Sequence, residues 1–194
     1  MKGAKEIGII IDFDRTIADT SKFDGTRWDK EEDKSVILNN LECVRIYPGV
    51  KEVIGKLNKY NIGVSIVTKR HREYLKIMID FLKIPLDINL AVCYDDIYHQ
   101  RKIRVKPSPE QYELAKQKLL KNGYIFDDSL IYCIGDDIDD IRAARSPQMI
   151  AIGALWGAKN DIRNEKAIIC NNICEVWSQV IYPEMEKIVN SRGL

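Results

Sequence analysis

The chain has 194 residues, 45% of them apolar and 30% charged, with 30 Lys and Arg against 29 Asp and Glu for a net charge of +1. That length suits one domain, at most with a small appendage, and the composition belongs to a globular protein rather than a fibrous or disordered one. The near-neutral balance excludes bulk attraction to nucleic acid or membrane surfaces, and no apolar stretch approaches the roughly 20 residues that span a bilayer.

In chain order, Lys2 and Lys5 precede an apolar run at residues 7–11, which Asp12 interrupts before a signal-peptide core can form. The run reads as a first buried strand. Residues 20–35 are polar, with isolated Phe23 and Trp28, and a short helical stretch is expected at 36–44. Together residues 17–45 form an insertion ahead of Tyr47-Pro48-Gly49. The spacing of Val53, Leu57 and Tyr60 predicts a helix, and residues 62–67 a second strand. Tyr74, Ile77, Met78 and Phe81 then predict a helix, and residues 88–94 a third strand. Ser108 as N-cap, Pro109 at the first helical position and Gln111 closing a capping box open a helix carrying Tyr112, Ala115 and Leu119. Strands follow at 130–134 and 149–152. A last amphipathic segment runs from Ile173 toward Val189, with Pro183 expected to break or kink it. Continuous apolar runs alternating with amphipathic helices predict an α/β fold: a Rossmann-like, mainly parallel sheet with helices on both faces.

Two short basic runs, 69–72 and 101–106, are read as solvated surface rather than a nucleic-acid patch. The five cysteines include Cys170 and Cys174 in a C-x3-C spacing without nearby histidines, which suits ordinary thiols better than zinc and points to the reducing cytoplasm.

Chemistry concentrates where the strands are expected to end. Asp12 and Asp14 follow the first strand, and two such carboxylates are costly to ionise together without a cation. Thr68 follows the second strand, just before a helix whose free amides, with the hydroxyl, suit a phosphate. Lys106 leads into another helix start. Asp136, Asp137, Asp139 and Asp140 crowd the end of a later strand, and oxygen-only ligands of that kind select magnesium over zinc.

Asp12-x-Asp14-x-Thr16 after a hydrophobic strand, then Thr68, then Lys106 before Pro107, then Gly135-Asp136 with Asp140, resembles the haloacid dehalogenase superfamily. Tyr47-Pro48-Gly49, Lys106-Pro107-Ser108-Pro109-Glu110, Asp140-Ile141-Arg142-Ala143-Ala144 and Leu155-Trp156-Gly157 resemble its phosphoglycolate phosphatase-like branch. The resemblance implies a magnesium-dependent phosphomonoester hydrolase working through an aspartyl-phosphate. It implies Asp12 as nucleophile, Asp14 as general acid and base, and Thr68, Lys69 and Lys106 around the phosphoryl group. It implies Mg2+ held by Asp12, Asp14 through its backbone carbonyl, and Asp136, with Asp140 as the second acidic group.

The pattern departs from the family at three places. Arg15 stands where Gly or Asn is common. Asp137 stands where Ser is common and so competes with Asp140. Residues 17–45 are shorter than the branch's usual helical cap, so a reduced cap is expected, with Phe23 and Trp28 near the entrance. A phosphotransferase or mutase, or a regulatory binding protein on the same fold, remains an alternative. A receiver domain does not fit, because nothing acidic ends the strand before Thr68. The expected partner is a small phosphomonoester, with homo-oligomers left open.

Overall fold

The computed structural model describes residues 5–24, 31–100 and 103–191. In chain order these form β1 (Ile7–Asp12), β2 (Ala18–Asp19), α1 (Glu31–Leu38), β3 (Arg45–Ile46), α2 (Val50–Lys59), β4 (Gly63–Val67), α3 (Arg72–Leu82), α4 (Tyr94–Gln100), α5 (Glu110–Lys121), β5 (Leu130–Gly135), α6 (Ile138–Ala143), β6 (Met149–Ala154), β7 (Ile168–Cys170), α7 (Ile173–Glu175) and α8 (Tyr182–Ser191).

Five strands make one parallel sheet in the order β4-β1-β5-β6-β7, with Ile11 opposite Ile66 on one side and Ile134 on the other. Successive strand side chains point to opposite faces, and the apolar ones separate accordingly. Ile9, Ile11, Ile66 and Ile134 pack against α2, α3 and the C-terminal helices. Ile10, Ile131 and Cys133 pack against Tyr112, Ala115 and Leu119 of α5 and Ile141 of α6. Strands covered on both faces are why the sequence shows runs rather than alternation. Each large aliphatic side chain so buried contributes on the order of 1.5–3 kcal/mol. Among the described residues no helix is long and apolar enough to cross a membrane.

Several elements differ from expectation. Residues 88–94 are not a strand. Asp87 accepts a hydrogen bond from the Asn89 amide and opens a 3-10 turn at Ile88–Leu90, so only Val92 reaches the sheet edge, in a single bridge to Val67. Such side-chain to backbone bonds compete with a strand ladder. On α3 the buried stripe is Tyr74, Leu75, Met78, Ile79 and Leu82, while Phe81 is 47% exposed. The capping box at 108–111 does not form. Pro109 is the N-cap residue, without a side-chain cap, and Ser108 Oγ donates to Glu110 instead. Tyr60 lies one residue past α2 and stacks on Trp177. The C-terminal helix continues through Pro183, but only after a π-helical stretch over Val176–Ile181, a wider turn often found where the regular ladder is interrupted. β7 has no counterpart in the sequence reading. Cys170 is buried but Cys174 is exposed, and the cysteines are free.

The insertion leaves and rejoins the core at one place. β2 and β3 pair antiparallel, Ala18 with Ile46 and Asp19 with Arg45. Between them α1 starts earlier than expected and ends at Leu38, followed by a 3-10 turn at Leu41–Cys43. Phe23, Ile37 and Val44 are buried in the core cluster on the α2 face. Trp28 lies outside the described residues.

Candidate active site

The strand order places three strand ends side by side. β1 ends in Asp12, β4 is followed by Thr68, and β5 by Asp136, along the carboxyl edge where open α/β sheets bind ligands. With residues 88–94 not a strand, Lys106 reaches this edge from a loop rather than a fourth strand end. A cleft of about 280 Å3 opens here, lined in part by Asp12, Asp14, Lys69, Arg70, Lys106 and Asp136.

Lys106 is buried at the centre. Its Nζ donates to Asp12 Oδ1 at 2.6 Å and to Asp140 Oδ1 at 2.5 Å. Its backbone amide donates to Gln111 Oε1 at 2.9 Å, so the glutamine expected to cap the helix instead holds the lysine loop. Tyr112 adds a hydroxyl bond to Asp140 Oδ1 at 3.1 Å.

Helix α6 sorts the four carboxylates after β5. Asp137 is exposed and serves as the N-cap, accepting from the Asp139 amide at 2.9 Å, while Asp140 Oδ2 accepts from the Asp137 amide at 3.2 Å. The two caps satisfy helix-end donors reciprocally and turn Asp140 inward. Gly135 makes the room, since a Cβ there would lie 2.3 Å from the Asp140 Cβ. Asp140, not Asp137, therefore joins Asp12 and Asp136, whose ligand atoms all lie within 4.8 Å of one another.

This cluster is short of positive charge. Burial pushes the Asp12 carboxyl well above the usual range, with Lys106 pulling the other way and Asp140, Asp136 and Asp14 adding to the rise. Burial and then the Asp140 charge push Asp136 up to about 7, against a Thr16 hydroxyl bond of 3.1 Å. Burial alone would lower Lys106, but Asp12 and Asp140 more than reverse it and raise it. Asp12 Oδ1 accepts from Lys106 and Asp136 Oδ1 from Thr16. Three clustered carboxylates share one ammonium, and among the described residues no histidine or cysteine joins the group, a donor set that fits a hard divalent cation.

Asp14 faces the other wall. Both of its oxygens accept from Arg70 Nε, at 2.7 and 2.9 Å, and Arg70 Nη2 also bonds Oδ1. Thr20 and Thr68 hydroxyls donate to it at 2.7 and 3.3 Å. The Asp14 side chain thus stands apart from the three-carboxylate cluster. Thr68 Oγ1 also accepts from the Arg70 amide at 3.1 Å. The helix expected to start near His71 begins at Arg72 with His71 as its N-cap, and the Arg72 amide is bound to Asp95 at 2.6 Å, so that amide is not free for a phosphate. Lys69 is exposed at the cleft. Arg15 is held at the rim by Asp24, which also binds Lys159 at 2.7 Å.

Arg70 is the residue that sequence reading missed. Counted within a solvated basic run, it is 2% exposed and buried against Asp14. Arg72 and Arg104 of the two runs are likewise occupied, by Asp96 and Glu110, and Arg101 and Lys102 lie outside the described residues.

A protein-family model described as haloacid dehalogenase-like hydrolase matches residues 27–154, a stretch holding Thr68, Lys106, Asp136 and Asp140 but beginning after Asp14. Phosphoglycolate phosphatase of Salmonella choleraesuis (strain SC-B67) is 24% identical over 112 residues, 58% of this chain and 40% of that protein. Pyrophosphatase PpaX of Bacillus velezensis (strain DSM 23117 / BGSC 10A6 / LMG 26770 / FZB42) is 28% identical over 118 residues, 61% of this chain and 50% of that one. The chain thus spans half or less of the length of these curated relatives. Among solved structures, a predicted phosphoglycolate phosphatase from Haemophilus somnus 129pt superposes with a TM-score of 0.67 at 16% identity, over 91% of this chain and 99% of that one. A hydrolase from Pseudomonas syringae superposes with a TM-score of 0.66 at 21% identity, over 90% and 98%. At these identities the two structures establish the shared fold.

Proposed function

The chain belongs to the haloacid dehalogenase-like hydrolases, and from that membership we propose that it is a magnesium-dependent phosphomonoester hydrolase acting through an aspartyl-phosphate on Asp12. The observation that carries this reading is the setting of Asp12: one oxygen is tied to Lys106, and the residue lines the cleft together with Asp136, with which it clusters.

In this reading Asp12 Oδ2 attacks phosphorus as the bond to the leaving oxygen breaks, and Asp14 supplies the proton that oxygen needs. Asp14 then takes a proton from the water that attacks the aspartyl-phosphate, which releases phosphate and restores Asp12. Lys106, Thr68 and Lys69 surround the phosphoryl group and offset its charge, as phosphoryl transfer chiefly requires. Asp12, Asp136 and the Asp14 backbone carbonyl would hold magnesium, with Asp140 positioned through Lys106. When bound, the ion would neutralise charge on the carboxylates and on the phosphoryl oxygens. The names of the curated relatives support a small phosphate compound as substrate. Residues 17–45 would act as a reduced cap, and free cysteines support a reducing, cytoplasmic setting.

The test is phosphate release from a panel of sugar phosphates, nucleotides, phosphoglycolate and phosphopeptides. Excess chelator should abolish release and magnesium restore it, while calcium, with looser coordination, should inhibit. Magnesium should also raise the melting temperature of the chelated protein, since a ligand of the folded state stabilises it. Undiminished turnover in excess chelator would rule the mechanism out.

Arg70→Ala should lower turnover about 10²-fold, the scale of a misplaced catalytic group, with a smaller change in KM. Arg70→Lys should recover little, because an ammonium does not reproduce the guanidinium fork on Asp14. Parental turnover in either variant, measured by steady-state kinetics on an aryl phosphate, would show that Asp14 needs no such clamp.

A further inference from the structure

Leu155-Trp156-Gly157 contains no group suited to phosphoryl chemistry, yet it touches the loop that carries Asp12 and Asp14. Trp156 Nε1 donates to the Thr16 carbonyl at 3.0 Å. Gly157 lies so close to the same loop that a Cβ would fall 1.6 Å from the Arg15 carbonyl oxygen, where ordinary carbon–oxygen contact needs about 3.3 Å. The glycine is required by space, because backbone cannot yield as a flexible side chain would. The short segment is itself fixed: the Leu155 amide donates to Cys170 at 3.0 Å and the Gly157 amide to Ala154 at 3.3 Å. Two residues on, Lys159 binds Asp24 at 2.7 Å.

The loop it meets is tightly wound. Ile17 and Ala18 amides both donate to the Phe13 carbonyl, at 3.0 and 3.1 Å, and the Arg15 amide donates to Ala18 at 2.7 Å. Arg15 sits in the left-handed region at φ 59. Thr16, buried in the same turn, donates its hydroxyl to Asp136 at 3.1 Å. A continuous path therefore runs from the Trp156 indole through the Thr16 carbonyl and hydroxyl to an expected cation ligand.

We propose that Trp156 and Gly157 are positioning residues: they brace the 13–18 turn from behind and so set the Asp14 carbonyl and the Thr16 hydroxyl relative to Asp136. The cation part of this inference rests on the function proposed above. Outer partners of metal ligands typically govern about 10- to 100-fold in affinity. Trp156→Phe keeps an aromatic ring and removes the donor together with part of the indole's volume.

The experiment compares parent, Trp156→Phe and Gly157→Ala by amide hydrogen exchange and by calorimetric titration with Mn2+ alone. Trp156→Phe should speed exchange at Ile17 and Ala18 and weaken Mn2+ binding about tenfold, and kcat should fall with little change in KM. Gly157→Ala should exceed it in each. If Gly157→Ala fails to fold, Trp156→Phe alone decides. Exchange and Mn2+ affinity equal to the parent's would overturn the brace, as would a lowered melting temperature with unchanged Mn2+ affinity. A parent that binds no Mn2+ would instead overturn the proposed cation site, leaving the exchange comparison to judge the brace.

Discussion

Asp12→Asn is expected to reduce turnover of an aryl phosphate by on the order of 10⁴-fold or more, the scale seen when a covalent nucleophile is removed, while the protein stays folded. The amide is nearly isosteric and still accepts from Lys106 through its carbonyl. It removes one of three crowded buried carboxylates, so the metal-free variant should be no less stable than the parent. Activity and stability are thus expected to move apart. Asp14→Asn should also be severe, but less so for an activated aryl leaving group that departs without a proton. Trapping the phosphorylated parent by rapid quench, and finding no such species in Asp12→Asn, would locate the covalent bond. Turnover within tenfold of the parent would end the assignment.

Lys106→Met should lower both stability and turnover. The ammonium is the counter-charge of two buried carboxylates, Asp12 and Asp140. Removing one partner of a buried ion pair costs about 3–5 kcal/mol, here moderated because the stranded acids can take up protons. The pH dependence has a definite sign. A carboxyl raised in the folded state, as Asp136 is to about 7, binds protons more readily folded than unfolded. The penalty is therefore fully present above the folded value and disappears as pH falls toward the unfolded carboxylate value of about 4. Loss of the Lys106 charge raises these carboxyls further, so metal-free Lys106→Met should be least stable at alkaline pH and regain stability as pH falls toward about 4. Turnover should fall about 10²- to 10³-fold, the usual effect of deleting a group that stabilises developing charge. Chemical denaturation between pH 5 and 8 checks the first part; a flat profile at parental stability would contradict it.

The α/β fold was legible because strands covered on both faces leave uninterrupted apolar runs, as in β1 and β5. The same rule misled at 88–94, where a local turn at Asp87 and Asn89 outcompeted the ladder. It was silent at β7, only three residues long with Ile168 exposed. Of the site, Asp12 and Asp136 could be named because each follows an apolar run, and Lys106 because it stands before Pro107 and a helix start in the Lys106-Pro107-Ser108-Pro109-Glu110 sequence. Choosing among the four carboxylates after β5 needed the cap geometry of α6 and the space at Gly135. Arg70 was hidden for a different reason. Charge in a basic run carries no sign of burial when the acid that buries it lies 56 positions away. The Trp156–Thr16 bond spans 140 positions and leaves no local signature.

The antiparallel pinch of Ala18 with Ile46 and Asp19 with Arg45 bears on how such an enzyme can change. With its two ends clasped, the intervening chain is a closed loop, and each doubling of such a loop adds only about 0.6 kcal/mol in closure entropy. Insertions and deletions between Asp24 and Ile37 should therefore be tolerated, whereas Thr20, bonded to Asp14, and the buried Phe23, Ile37 and Val44 are tied to the site and the core. The length of the clasped segment is in this sense free to vary, and the turn that carries Asp12 and Asp14 is not.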